Sequence, residues 1–492
     1  MKRTLLATAI ATTMFTAVAQ ETPNSRAIET VTIYGNQLKA QEATGAAQYI
    51  GEQDLEKFAY TDIQRIIRQA PGVSLQVEDG YGLRPNISIR GVATERSGRI
   101  TLLEDNVLIA PAPYSAPSAY YFPTAGRMSA FEVVKGPAAI TQGPYTIGGA
   151  INMISTPIPS TQSGQVTLEA GQDATYRAHA TIGGQNNNGF GYLLEAHQWQ
   201  SDGFQDIDRS SNDTGLDVTD VTMKLAYAPR DSRHSVELKL QYTDQDSEQS
   251  YLGLTDADFA NNAQRRYGLS ALDNISTEHT QVMLNYAFEI NKDLRFTTVA
   301  YNNTHERDWF KTEGIDLDGS ENAQDFSRTS WSDVVNAINS NEAIGDTSVA
   351  MLQGILDGSV NTEVGSIQLR SNSREYYSRG IQFGLNWNKQ LGEAKHHIEM
   401  GVRLHEDEED RLQRNSTYQQ VDGQLLLSDL GELGNAGNRV QDADALALHV
   451  YDRIELGDWV FTPGLRFEDI SQSRTRYTNG AERVFRDDRE ND

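Results

Sequence analysis

The sequence predicts a mainly β protein: a transmembrane antiparallel β-barrel whose lumen holds an N-terminal α+β domain. Three observations predict it. Proline is confined to the front of the chain, strand-like alternation fills the remainder, and the connections between strands alternate in length.

Eleven of the 13 prolines precede residue 160, and only Pro229 and Pro463 follow. Proline lacks an N–H and is expelled from sheet ladders, so the proline-poor region reads as continuous sheet. About eleven strands follow residue 163, the clearest at 217–228, 233–246, 278–290, 293–308, 374–389, 395–410, 443–456 and 458–470. Their faces alternate with the period of a strand. Val236, Leu238, Leu240 and Tyr242 oppose Glu237, Lys239 and Gln241, and Ile398, Met400, Val402 and Leu404 oppose Glu399, Arg403 and His405. Val282, Leu284, Tyr286 and Phe288, and Ile381, Phe383, Leu385 and Trp387, form further apolar faces.

A soluble sandwich also has one wet face per sheet. These strands, however, reach the ~9–11 residues that a tilted strand needs to cross a bilayer. The connections also sort by parity. "QNNNG", "PRDSR", "NKD", "LGEA" and "LGD" are short, whereas 201–216, 247–277, 309–373 and 411–442 are long. Short turns on one side and long loops on the other describe an outer-membrane barrel. The mean hydropathy of −0.54 is compatible, because only alternate strand residues touch lipid. Pro463 falls inside "WVFTPGLRFE" and belongs near the periplasmic end or at a bulge. An odd strand count and a charged, loop-like tail, "FRDDREND", predict an incomplete barrel with open edges at 158–492. Single-chain bacterial barrels have even counts, and a plugged one needs about 22 strands.

Residues 1–19 have the layout of a secretory signal peptide: Lys2 and Arg3, an apolar run from Leu5 to Phe15, then Ala17-Val18-Ala19. No later run is long and apolar enough for a transmembrane helix. The chain has no cysteine, so disulfides and thiolate metal sites are excluded. A net charge of −26 argues against nucleic acid as a partner. No nucleophile elbow, H-E-x-x-H or phosphate-cradling loop occurs, so no enzyme is expected.

Residues 20–39 form a leading segment with a lone strand, "ETVTIYG" (29–35), and 40–157 form a small α+β domain. A helix is expected at 61–73, with Thr61 and Gln64 at capping-box spacing and Pro71 at its end. Short strands are expected at 86–90, 99–104, 131–135 and 149–154, around the proline- and tyrosine-rich loop "APAPYSAPSAYYFP" (110–123). A domain of this size before a large barrel suggests a cork.

Several segments, taken in order, resemble the TonB-dependent outer-membrane receptors. "ETVTIYG" resembles the TonB box, "RIIRQAPGVSLQ" a plug segment, and "ISIRG" (87–91) the family's I-R-G strand. "FEVVKGPAAITQGPYTIGGAINMIS" (131–155) matches the E-V-x-K-G-P…G-G-x-I-N signature, where Gly136, Gly143, Gly148 and Gly149 are expected to permit tight turns and positive φ. "APAPYSAP" (110–117) and "SREYYSRGIQFGLNWN" (373–388) resemble the ferric dicitrate receptor subfamily. Two departures stand out. That receptor's additional N-terminal signalling domain is absent from this sequence, and the usual D-G-x-P turn reads "EDNVLIAP", with Asn106 replacing glycine.

The resemblance implies a TonB-dependent transporter in the outer membrane of a Gram-negative bacterium, N-terminus periplasmic and long loops extracellular. It implies a monomer that partners TonB of the TonB-ExbB-ExbD complex, and outer-membrane lipid and lipopolysaccharide. Glu29, Thr30, Val31, Thr32, Ile33 and Tyr34 would be paired by TonB as an added strand. The cargo would be an Fe(III) chelate carrying negative charge, ferric citrate first, with no resident cofactor and no metal site. Arginine forks suit its carboxylates. The candidates are Arg96 and Arg99, then Tyr114, Ser115, Tyr120 and Tyr121, and from the barrel Arg307, Arg370 and Arg374. Each arginine has an alternative reading as a plug–barrel salt bridge. "HHIE" and "HEDEED" (396–410) alternate across a strand and read as lumen and loop residues, and "DGSENAQDFSRTSWSD" as a solvated loop that could bind divalent cations. A neutral siderophore, carbohydrate or vitamin is the alternative cargo, a passive porin or an adhesin without transport the alternative role.

Overall fold

The computed structural model describes residues 33–43, 45–319, 326–478 and 480–491. The leader at 1–19 and Glu29, Thr30, Val31 and Thr32 lie outside them.

The first domain runs α1 (Gln37–Gln41), β1 (Ala46–Ile50), α2 (Glu52–Phe58), α3 (Ile63–Ile67), β2 (Val73–Gln76), β3 (Asn86–Ile89), β4 (Thr101–Glu104), β5 (Val107–Leu108), β6 (Met128–Lys135) and β7 (Ala150–Ser155). Five strands form one sheet in the order β1-β6-β7-β4-β5, and β2 pairs β3. Ile63, Ile66, Ile67, Ile87, Ile89, Phe131, Val133, Ile151 and Met153 supply its core. The helix expected at 61–73 is the shorter α3, Ile63–Ile67, which starts two residues later and ends six residues earlier. Asp62, not Thr61, caps it, accepting the Gln64 N–H at 2.8 Å. The β4–β5 turn takes Asp105 and Asn106 at φ +49° and +64°, so asparagine replaces the glycine as expected. Of the signature glycines, Gly136 and Gly149 have positive φ. Gly143 and Gly148 do not. A Cβ at Gly148 would meet Ile89 O at 3.0 Å and one at Gly143 would meet Arg466 Nε at 2.3 Å, so close approach is what those two need.

The second region runs β8 (Ser163–Ala170), β9 (Tyr176–Gln185), β10 (Phe190–Ser201), β11 (Asp206–Ile207), β12 (Leu216–Tyr227), β13 (His234–Ser247), α4 (Asp256–Asn261), β14 (Arg265–Arg266), β15 (Asn274–Asn291), β16 (Leu294–Asp316), β17 (Arg328–Ser330), α5 (Trp331–Ser340), α6 (Val349–Leu356), β18 (Ile367–Ser371) and β19 (Arg374–Leu391). It ends with β20 (Ala394–Val421), β21 (Gln424–Asp429), β22 (Gly437–Leu456), β23 (Trp459–Phe461), β24 (Gly464–Thr478) and β25 (Val484–Asn491). All but β11 and β14 belong to one antiparallel sheet, with β18 and β19 sharing one position and β23 and β24 another. The wall therefore has twelve positions from β8 to β25, and these two edges do not pair with each other among the described residues.

Three expectations need correction. The tail "FRDDREN" is not a loop but β25, paired with β24 from Thr478↔Val484 to Gln472↔Asn491. Its charges hid it because an edge strand is held by main-chain bonds. The strict alternation of loops also fails at both ends, since 171–175 and 479–483 are short on the long-loop side. Finally, the long loops are folded. α5 is capped by Ser330, and Trp331 is buried with its indole N–H on Thr312 Oγ1 at 2.6 Å. Tyr267, Leu269, Ile315, Trp331, Leu352, Leu356 and Leu369 make a second apolar core there. Pro463 separates β23 from β24, beside the short turn at 457–458.

The wall is inside-out relative to a soluble sheet. Val282, Leu284, Val402, Leu404, Leu448, Val450, Leu465 and Phe467 point outward and are exposed, whereas Glu195, Asp220, Lys239, Gln241, Arg307 and Asp407 are buried. That is the pattern for hydrocarbon outside and a polar lumen. The first domain buries those polar groups and answers the charges of Asp220 and Lys239. Lys239 of the wall sits 2.5 Å from Glu104 and 2.8 Å from Asp105. Arg127 of the plug pairs Glu104 at 2.7 Å and Asp220 of the wall at 2.7 Å. Burial opposes ionisation of Glu104 and Asp105, yet the neighbouring cations hold both below the usual carboxylate range.

Removing one member strands the others in a dry site. Lys239→Met is expected to destabilise docking of the first domain by about 3–5 kcal/mol, measured in the complete protein as the denaturant midpoint for amide exchange in β6. Arg379→Gln, which breaks a pair with Glu406 whose members are 53% and 38% exposed, should cost under about 1 kcal/mol.

Candidate ligand site

Two plug loops meet at the long-loop end of the lumen. In the first, Arg96 and Ser97 adopt left-handed backbone, φ +46° and +53°, which costs of order 1–3 kcal/mol each unless the surroundings enforce it. They do. Asn86 Oδ1 accepts the Arg96 N–H at 2.8 Å, Ser97 Oγ donates to Pro85 O at 2.8 Å and accepts the Ile87 N–H at 3.0 Å. The second loop is stitched to the first by the Ala119 N–H on Arg96 O at 2.8 Å. This positions Tyr120 beside Arg96.

Three guanidinium groups surround the Tyr120 ring. Arg307 lies 3.7 Å from its centroid, Arg374 5.4 Å and Arg96 5.5 Å. Arg96 also faces the rings of Tyr251 and Trp309 at 5.6 and 5.4 Å. Cation–π contact spreads some of this charge over the rings. The carboxylate answers are partial. Arg96 pairs Glu78 and the Tyr251 hydroxyl. Arg374 pairs Glu409 at 2.6 Å, an oxygen pair that Arg411 and Arg439 share. Arg307 is 3% exposed, yet its Nε, Nη1 and Nη2 have no hydrogen-bond partner among the described residues. The Tyr376 hydroxyl, which donates to Glu409 at 3.3 Å, lies beside it with its lone pairs as the nearest acceptor, and no carboxylate pairs with Arg307 among the described residues. Arg84 adds a fourth buried guanidinium. It donates to Ser247 Oγ and Gln249 Oε1, each at 3.0 Å, and leaves Nε and Nη2 unpaired.

The local field is positive, and two plug groups register it. Burial would raise the Tyr120 phenol, but Arg307, Arg374, Arg96 and Arg411 outweigh it and hold the phenol below the ordinary tyrosine value. Burial pushes the Arg84 guanidinium down to about 10, with Arg96 and Arg307 adding to the effect and Asp79 opposing it.

The structure thus gathers Arg96, Tyr120, Arg307 and Arg374 from the sequence candidates. It does not gather the others. Arg99 is exposed. The Tyr114 and Ser115 N–H groups both donate to Asp407, at 2.7 and 3.0 Å. Tyr121 stacks on His279 at 3.5 Å and accepts from Gln241. Arg370 serves the loop base, bonding Asn415 at 2.8 Å and pairing Glu313 at 3.3 Å. None of these arginines makes a salt bridge between plug and wall among the described residues; Arg127 and Lys239 do. Arg84, Tyr251, Trp309 and Glu409 were missed. Trp309 had a signal, since it stands two residues from Arg307 on the same strand face. Arg84 had none.

Residues 39–150 match the family model of the TonB-dependent receptor plug domain. The first domain is a TonB-dependent receptor plug. The chain is 27% identical over 218 residues to the vitamin B12 transporter BtuB of Vibrio vulnificus, and 25% identical over 197 residues to that of Photobacterium profundum. These matches take in 44% and 39% of this chain but only 35% and 31% of those proteins. In fold, the chain superimposes on the unliganded ferric citrate transporter FecA with a TM-score of 0.70 at 20% identity, over 93% of this chain and 60% of that one. The siderophore receptor PiuA from Acinetobacter baumannii gives 0.65 at 15% identity, over 91% and 60%. Plug and wall together therefore have the fold of these receptors.

Removing the closest cation should relax the Tyr120 phenol. Arg307→Met is expected to shift its ionisation to higher pH, read as an ultraviolet difference titration against Tyr120→Phe in the same background.

Proposed function

We propose that this protein is an outer-membrane receptor that imports an anionic ferric chelate at the expense of TonB-delivered energy, with ferric citrate the leading cargo. The observation that carries the reading is Arg307: a buried guanidinium with no carboxylate partner among the described residues, in a chamber where Arg84, Arg96, Arg307 and Arg374 outnumber Glu78 and Glu409. Leaving a buried donor unpaired costs more than pairing it gains, so an arriving carboxylate satisfies a standing deficit. Tyr251 is half-exposed, which supports entry from the long-loop side. The net charge of −26 repels anions at long range, but salt screens charges beyond roughly 8–10 Å.

In this reading the wall crosses the outer membrane, the long loops are extracellular and the N-terminal segment reaches TonB in the periplasm. The chelate docks on the arginines above the plug. TonB pairs with the segment around Val31 through main-chain bonds and draws on the plug from below. A second reading follows from the B12 transporters among the relatives: a corrinoid as cargo, for which the arginine chamber gives no reason.

Binding of radiolabelled iron to the complete receptor separates the two. Ferric citrate is expected to bind saturably, and Arg307→Ala to weaken it at least about thirtyfold, the loss typical of an unpaired buried charge contact. A neutral ferric hydroxamate should be indifferent to that change. Saturable cyanocobalamin binding without ferric citrate binding would favour the corrinoid.

Energy coupling is tested separately. Val31→Pro removes an N–H from the segment that TonB would pair. Whole-cell binding of the chelate should persist while uptake is abolished. Normal uptake in that variant would remove the segment from the mechanism.

A further inference from the structure

The end of the proposed TonB-pairing segment is held by one side chain. Glu132, in the middle of β6, is fully buried. Its Oε2 accepts the Ile33 N–H at 2.8 Å, and its Oε1 accepts the Tyr34 N–H at 2.7 Å and the Gly35 N–H at 2.8 Å. Asn152 Nδ2, across from it on β7, donates to Oε2 at 2.9 Å. All four donors are neutral. Three consecutive N–H groups converge on one carboxylate only where the backbone turns back on itself, and Gly35 supplies that turn at φ +76°. This is an anion nest whose anion belongs to the plug itself.

The grip is on the main chain, not on side chains. The Tyr34 hydroxyl is buried without a hydrogen-bond partner among the described residues, and Ile33 is only half-buried. β6 in turn is paired on both sides, by β1 from Ala46↔Lys135 to Ile50↔Phe131 and by β7. Glu132 is therefore anchored in the best-supported part of the sheet.

We propose that Glu132 is a latch that holds residues 33–35 against the plug and competes directly with strand pairing by an energy-coupling partner. The competition is stereochemical. A partner strand that extends over residues 33 and 34 needs the N–H groups that Glu132 occupies, and an N–H cannot serve both at full strength. The inference rests on the reading of residues 29–34 as the pairing segment.

The test uses the complete receptor. In the wild type, amide exchange at Ile33, Tyr34 and Gly35 is expected to be slowed well beyond that of a free chain. Glu132→Gln keeps one acceptor oxygen but removes the charge, and should speed exchange at those three amides at least about tenfold, the loss of a charge-assisted hydrogen bond. Exchange in β7 should be unchanged. Purified TonB periplasmic domain should bind the E132Q receptor more tightly than wild type. Free-chain exchange at residues 33–35 in the wild type, or no change in E132Q, overturns the latch; the wild-type result decides alone if E132Q does not assemble. If exchange responds as expected but TonB binding is insensitive to both E132Q and Val31→Pro, the hold on residues 33–35 stands and the pairing-segment reading falls; insensitivity to E132Q alone overturns the competition.

Discussion

Along the apolar band where the wall presents Val282, Leu404 and Phe467 outward, only its inner face is left for polar side chains. That constraint organises the molecule. In a soluble sheet such a face would meet water. Here it meets a second domain, and every charge on it must find an answer there or from a neighbour on the wall, or remain stranded at a cost of several kcal/mol. Glu104, Asp105 and Arg127 give that answer for Asp220 and Lys239. The plug is thus an electrostatic complement to the wall as well as a stopper. Its seat is fixed by charges that oppose one another in sign and lie within hydrogen-bond distance.

The arginine chamber is the exception, and its position explains why. Deep in the lumen the charges close on themselves. At the long-loop end they do not: among the described residues Arg307 has no carboxylate partner, and Arg84 has one of its three nitrogens bonded. Unanswered charge in a buried cleft marks a candidate functional site. The acidic surplus of the sequence lies elsewhere. Outward-facing carboxylates such as Asp244, Glu278, Glu306 and Asp469 follow the apolar residues along their strands, away from the lumen side where Tyr120 and its three guanidiniums sit. Net charge and site charge therefore have opposite signs without contradiction.

Much of the fold was legible because the signals were local and redundant. Alternation such as Val236 to Tyr242 marks both a strand and its outward face, and Pro463 marks a break that the wall shows at that residue. What was not legible depended on partners distant in sequence. "FRDDREN" carries no apolar alternation, and only pairing with β24 makes it a strand. α4, α5 and α6 were hidden in loops judged by their acidity, although Thr255, Ser330 and Ser348 each cap a helix by accepting an N–H three residues on. Asp62 displaced Thr61 as a cap because its carboxylate reaches the Gln64 N–H. At the site, residue type predicted the guanidiniums but not their sorting. Arg99 and Arg96 look equivalent in "TERSGR", and only the left-handed turn at Arg96 and Ser97 sends one inward.

The two ends of the plug are linked by a short path of defined contacts. Ser97 binds the backbone at Pro85 and Ile87, next to and within β3. Ile89 at the end of β3 packs in the same core as Phe131 and Val133, which flank Glu132 on β6. Glu132 then holds residues 33–35. Topology sets the order in which a pull from the N-terminus loads this path. After the carboxylate comes α1, then β1, an edge strand with β6 as its one neighbour in the sheet. β6, β7 and β4 follow, with β6 and β7 each paired on both sides. An edge strand sheds its bonds without disturbing any other pair, so extraction can begin while the wall contacts of Glu104, Asp105 and Arg127 remain closed. The charges that seat the plug are not the ones that the first step must break.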